Sequence, residues 1–174
     1  MKIILPTDFL EIIKDKGLLL DTNFFIDAFL NSVEFGAFIK QLKDANVTLI
    51  SLDVVKIEFL KGAVNTPKYK EKQEYFEQII QICLPLPKNI FDNAYKLLQL
   101  YKEDGKPLSI TDLLLGAALI NYQTNLFLLT KNTTDFPSNI FTLSTHINLL
   151  YRKGLHVYGV YQYVNSNWKG NRDL

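Results

Sequence analysis

The chain has 174 residues, enough for one α/β domain with a real core, and its hydrophobic share of 48% is that of a globular protein and not of a disordered one. Lysine plus arginine number 19 against 18 aspartate plus glutamate, so no strongly basic balance points directly to nucleic acid, and such a function has to be read from a site. The single cysteine, Cys83, excludes an intrachain disulfide and fits a reducing compartment.

The N-terminal stretch predicts a helix from Thr7 to Lys16. Gly17-Leu18-Leu19-Leu20 is an apolar run too short for a helix and ends at Asp21-Thr22-Asn23, the pattern of a buried parallel strand. Helices follow over Phe24–Leu30 and Phe35–Asp44, the second with Phe35, Phe38, Ile39 and Leu42 on one face. Val47–Ile50 is the next strand, after which Ser51 is expected to cap a helix reaching about Lys61. Lys68–Ile80 is charged and periodic, hence helical, and Ile82–Leu86 is a third strand closed by Pro85 and Pro87. Lys88–Tyr101 is a helix with Ile90, Phe91, Ala94, Leu97 and Leu98 inward, and a loop over 103–107 leads to the helix Ser109–Tyr122. Leu126–Leu129 is a fourth strand, 130–137 a loop, and Ile140–Leu143 a fifth strand. His156–Val164, rich in Tyr and Val, reads as an edge strand, and the residues from Asn165 as frayed.

Strands alternating with helices imply a parallel sheet covered on both faces. With no repeat and no linker, the expectation is one domain over 1–174. The short apolar run at the N-terminus falls short of a signal peptide. The longest apolar stretch, Leu113–Ile120, is well below the roughly 20 residues that span a bilayer. A cytoplasmic protein with no membrane contact is the expectation.

In open parallel sheets, ligands bind at the carboxyl ends of the strands. Asp21 follows the first strand directly, Asp135 lies in the loop after the fourth, and Glu58 and Asp112 open helices near the same edge. Glu58 shares a face with Val54 and Val55, and Asp112 with Leu115 and Gly116, so both acids turn toward apolar neighbours without an evident basic partner. Clustered carboxylates of this kind suit Mg²⁺ or Mn²⁺, which take hard oxygen ligands. Taken singly, each acid has an ordinary explanation. Asp112 closes a capping box begun at Ser109, Glu58 is a partly exposed helix residue, Asp21 is an N-cap and Asp135 a loop acid. The inference rests on the four together. Asp27 reads as solvated or as a support to the ligands, Asp53 as compensation for a helix dipole, and Asp44, Glu71, Glu74 and Glu77 as polar helix faces. His146 and His156 lack ligand spacing, and Cys83 reads as core.

Leu18-Leu19-Leu20-Asp21-Thr22-Asn23 resembles the opening motif of the PIN-domain family, and Thr130-Lys131-Asn132-Thr133-Thr134-Asp135-Phe136 resembles its closing motif. Glu58 and Asp112 match the second and third acids of that family, and the likeness is nearest to VapC-type toxin ribonucleases. The resemblance implies a PIN-like three-layer α/β sandwich with a central, mostly parallel five-stranded sheet, its core over about 18–143. It also implies Mg²⁺- or Mn²⁺-dependent cleavage of RNA, a homodimer and a partner antitoxin. A longer lead before Asp21 and an extension over 145–174 depart from the compact toxin.

The implied chemistry is phosphodiester hydrolysis. Asp21, Asp112 and Asp135 would be core metal ligands, with Glu58 completing the set. Asn23, Thr130 and Asn132 would orient the carboxylates, and Lys131, Lys56 or Lys106 would contact phosphate. Two other readings compete. A haloacid-dehalogenase-type phosphatase also has an Asp after its first strand, but it uses Asp-x-Asp where this chain has Asn23. A PIN-like scaffold would bind RNA or protein without cleaving.

Overall fold

A computed structural model of the chain describes residues 2–103, 109–151 and 154–164. The expected loop beyond Glu103, together with Lys106, and the expected frayed tail from Asn165 lie outside the described residues. In chain order the elements are β1 (Lys2–Ile4), α1 (Phe9–Ile13), β2 (Gly17–Leu20), α2 (Thr22–Leu30), α3 (Ser32–Asp44), β3 (Thr48–Leu52), α4 (Asp53–Lys61), α5 (Thr66–Ile79), β4 (Ile82–Leu84), α6 (Lys88–Glu103), α7 (Ile110–Tyr122), β5 (Leu126–Thr130), β6 (Phe141–Tyr151) and β7 (Gly154–Tyr163). The strands form one sheet in the order β1-β6-β7-β5-β2-β3-β4.

The parallel core is β5-β2-β3-β4. Leu18, Leu19 and Leu20 are all buried, as a strand covered on both faces requires. The chain steps from β2 to β3 to β4 in one direction and then crosses back to β5. Right-handed crossovers therefore put α2 to α5 on one face and α6 and α7 on the other. On the first face Phe24, Phe25, Phe35, Phe59 and Phe76 pack ring against ring, with Phe25 and Phe76 4.5 Å apart and Phe24 edge-on to Phe35 at 5.3 Å. On the second, α7 runs close to its neighbours at Gly116, where an added Cβ would lie 3.1 Å from both Leu97 and Phe141. The entries to β2 and β3 are matched: Asp15 and Asn46 both adopt φ of 58° and are joined by a 2.7 Å hydrogen bond from the Asn46 amide. Asn and Asp tolerate that left-handed region.

The sheet has seven strands where five were expected. The segment expected as a short fifth strand extends to Tyr151 and runs antiparallel to β7, with an irregularity between Leu143 and Thr145. The expected edge strand over His156–Val164 lies inside the sheet, between β6 and β5. The edge position on that side belongs to β1, a three-residue strand the sequence did not reveal. Three further expectations are corrected. Ser51 does not cap α4: β3 continues to Leu52, and the buried Ser51 hydroxyl donates to the Leu20 carbonyl at 3.2 Å. Cys83 is exposed, on the edge strand β4, with its thiol donating to Asp53. Phe91 faces partly outward on α6, while Ile90, Ala94 and Leu97 are core. No helix among the described residues is long and apolar enough to cross a membrane.

Candidate active site

β2 and β5 are adjacent in the sheet but are the first and last strands of its parallel core, so strand order reverses between them. At their carboxyl ends the two motifs meet. Asp21, 2% exposed, is the N-cap of α2. One carboxylate oxygen accepts from the Thr22 backbone N–H at 2.5 Å. The other accepts from the Thr130 hydroxyl at 2.7 Å and the Asn23 amide at 3.2 Å. Thr130 also receives the Asn132 N–H at 3.0 Å, which fixes the turn leaving β5.

Asp112, 5% exposed, sits in the first turn of α7. Its backbone N–H donates to the N-cap Ser109 at 3.0 Å, and the Ser109 hydroxyl donates back to its carboxylate. Ser109 therefore caps α7 as the capping reading expects, but the reciprocal bond comes from its hydroxyl and not from its backbone N–H, and this holds the acid in place as well as the helix. Two amides join the acids. Asn23 donates to Asp21 and, at 3.3 Å, to the Asn132 carbonyl oxygen, and Asn132 donates to Asp112 at 3.3 Å. A carboxylate offers only acceptors, so the two acidic ends dictate which way both amides point.

Burial pushes the Asp21 carboxyl above its ordinary range. Hydrogen bonds from Thr130, Asn23 and the Thr22 N–H pull the other way, and the Asp112 charge adds to the rise. Both acids sit at helix N-termini, where the aligned peptide dipoles favour negative charge by about 0.3–1 kcal/mol. Among the described residues, no lysine or arginine is paired with either acid.

The other two predicted ligands make different contacts. Glu58 is exposed, and its carboxylate accepts from the Thr22 hydroxyl at 2.5 Å. Asp135 lies in a single helical turn after β5 (Thr133–Asp135), with its carboxylate accepting from the Thr134 hydroxyl at 3.4 Å and its carbonyl from the Tyr101 hydroxyl. Among the described residues, no three His, Cys, Asp or Glu side chains are grouped to hold a metal ion. Of the four expected ligands, Asp21 and Asp112 are the two joined by the chain of amides. The pair still fits a hard cation, because Mg²⁺ is commonly held by one or two carboxylates while keeping several waters.

Lys131, expected at the substrate, is paired with Asp27 and lies 5.3 Å from the Tyr158 ring centroid. Lys56 is paired with Glu77 at 2.9 Å. Asp27 is buried, not solvated, and also accepts from the Tyr158 hydroxyl at 2.7 Å. Sequence reasoning placed Ser109 only as a cap and missed Thr22 and Tyr158 as members of this network. Thr22 was legible from the motif that contains it, whereas nothing local marks Tyr158.

The fold and the acid pair define an α/β protein with a carboxylate site at the strand-order reversal. The profile of the PIN domain matches residues 18–137, and the chain belongs to that family. Two solved structures share the fold. One is VapBC2 from Rickettsia felis, bound to a DNA fragment from its promoter, with 18% identity, a TM-score of 0.55, and 68% of this chain and 89% of that chain covered. The other is VapBC-1 from nontypeable Haemophilus influenzae, with 22% identity and the same TM-score and coverage. No curated protein matches the chain.

Proposed function

We propose that the chain is an Mg²⁺- or Mn²⁺-dependent endoribonuclease and the toxin of a toxin–antitoxin pair. The observation that carries the nuclease reading is the buried, amide-linked pair Asp21–Asp112, held at the strand-order reversal of a PIN-family sheet without a basic partner among the described residues. When bound, the cation supplies Lewis acidity that activates water and stabilises charge on the phosphate. Asp21 and Asp112 would hold the cation. Glu58, held by the hydroxyl of Thr22, the neighbour of Asp21 in the chain, and Asp135, three residues after Asn132, would complete the ligand set. Asn23, Thr130, Asn132 and Ser109 keep both carboxylates oriented so that little reorganisation is needed at reaction.

The purified protein should cleave RNA with Mn²⁺ and stop on chelation. Asp112→Asn should lose on the order of a hundredfold or more in rate, since several kcal/mol of charge stabilisation go with the metal, while its circular dichroism stays native. Cleavage that persists in excess EDTA rejects the metal reading. No cleavage under any metal favours the binding scaffold instead. The toxin assignment rests on the likeness in fold to the VapBC structures. Expression of the wild type, but not of Asp112→Asn, should arrest growth and be relieved by a partner antitoxin. Harmless expression of a chain that cleaves RNA in vitro would remove the toxin role and leave the nuclease.

A further inference from the structure

We infer that Tyr158 is a positioning residue for the carboxylate site, supplied by a strand outside the segment that matches the PIN family; as a role in catalysis this rests on the nuclease reading. The family match ends at residue 137, and β7 begins at Gly154. Tyr158 is 1% exposed, and its hydroxyl lies 2.7 Å from the Asp27 carboxylate and 3.0 Å from the Asn23 carbonyl. A phenol has one proton, so the two acceptors share it. Both acceptors are in α2, and Asn23 is the residue whose side chain joins Asp21 to Asn132.

The same carboxylate of Asp27 pairs with Lys131, which also rests over the Tyr158 ring. Lys131 stands between Thr130, which donates to Asp21, and Asn132, which donates to Asp112. Tyr158 therefore braces, through Asp27, the two segments that carry the donors to the acid pair: the first turns of α2 and the turn after β5. Packing alone would need only a phenylalanine here. The hydroxyl is spent on the backbone of the residue that sets the Asp21 side chain and on the acid that holds Lys131.

The test compares full-length Tyr158→Phe with Val160→Ala, a truncation of a fully buried apolar residue two places along the same strand. In metal-free protein, the side-chain amide NMR resonance of Asn23 should move or broaden in Tyr158→Phe and stay in place in Val160→Ala. With Mn²⁺ and RNA, Tyr158→Phe should lower kcat up to about tenfold, the low end of the cost of removing a ligand's direct support, because Tyr158 acts one residue further out; KM should stay within about twofold, and Val160→Ala should keep its kcat. An unmoved Asn23 resonance, an unchanged kcat in Tyr158→Phe, or an equal loss in Val160→Ala overturns the role. If the wild type cleaves no RNA, the nuclease reading fails and the Asn23 resonance alone decides whether Tyr158 positions the site. If Tyr158→Phe does not fold, Lys131→Met decides: the Asn132 side-chain resonance should shift, and a resonance that stays in place refutes the brace.

Discussion

Asp21 combines deep burial with a neighbouring like charge, and its hydrogen bonds do not fully compensate. Because its folded pKa lies above the unfolded value of 3.8, its contribution to stability is fully present below that value and is lost as pH rises through the folded pKa. The size is roughly 1.4 kcal/mol for each unit of displacement. Replacement by asparagine removes the titration but aims an N–H at Thr130 or Asn23, which are already donors. The informative quantity is therefore the change with pH and not the absolute melting temperature. In EDTA, the stability of wild type minus that of Asp21→Asn should fall as pH climbs from 4 to 7.5, and Mn²⁺ should recover it for the wild type. Thermal melts across that range check this, and a difference that stays flat with pH contradicts the buried charge. At this scale much of the site was legible. Asp21, Asn23, Thr130 and Asn132 announced themselves in two short motifs and do converge. What no residue could announce was the destination of Glu58 and Asp135: Glu58 meets the hydroxyl of Thr22 from a distant helix and Asp135 that of its neighbour Thr134, and neither contact leaves a mark in the local sequence.

Helix starts do two jobs in this fold. Asn65 caps α5 in the ordinary way, accepting the Lys68 N–H at 2.9 Å on an exposed surface. Ser109 caps α7 and also donates to the carboxylate of Asp112. Asn65→Ala and Ser109→Ala should each cost about 1 kcal/mol of stability, but only Ser109→Ala should slow RNA cleavage. Melting curves and cleavage rates measured side by side decide it, and equal cleavage by the two variants would reduce Ser109 to a cap. Most helices were legible from their periodicity, and β2, β3 and β5 from apolar runs bounded by turns. The misreadings share a cause. Ser51 is a good capping type, yet it is a fully buried strand residue because its hydroxyl finds the Leu20 carbonyl across the sheet. Cys83 lies in an apolar run, yet β4 is an edge with one flank open. Local pattern does not say which strand will be outermost.

Over the whole molecule, a family core has been widened by an antiparallel unit. β6 and β7 extend the parallel strands, and the sheet ends in three-residue strands on both sides, β1 and β4. Short edges offer little template for pairing with other chains. This part of the architecture was the least legible, because Lys2–Ile4 is too brief to carry a pattern and the place of β7 depends on pairing and not on composition. The pairing of β1 has a further consequence, which concerns time. Its hydrogen-bonding partner is β6, with Lys2 opposite Leu150, so residues near the start of the sequence are secured by residues near its end. Translation delivers them in the reverse of the order in which they can be used. While the parallel strands can find neighbours as they emerge, β1 has to wait until β6 has been made, and also β7, which links β6 to β5. β1 therefore joins the sheet only through strands made long after it.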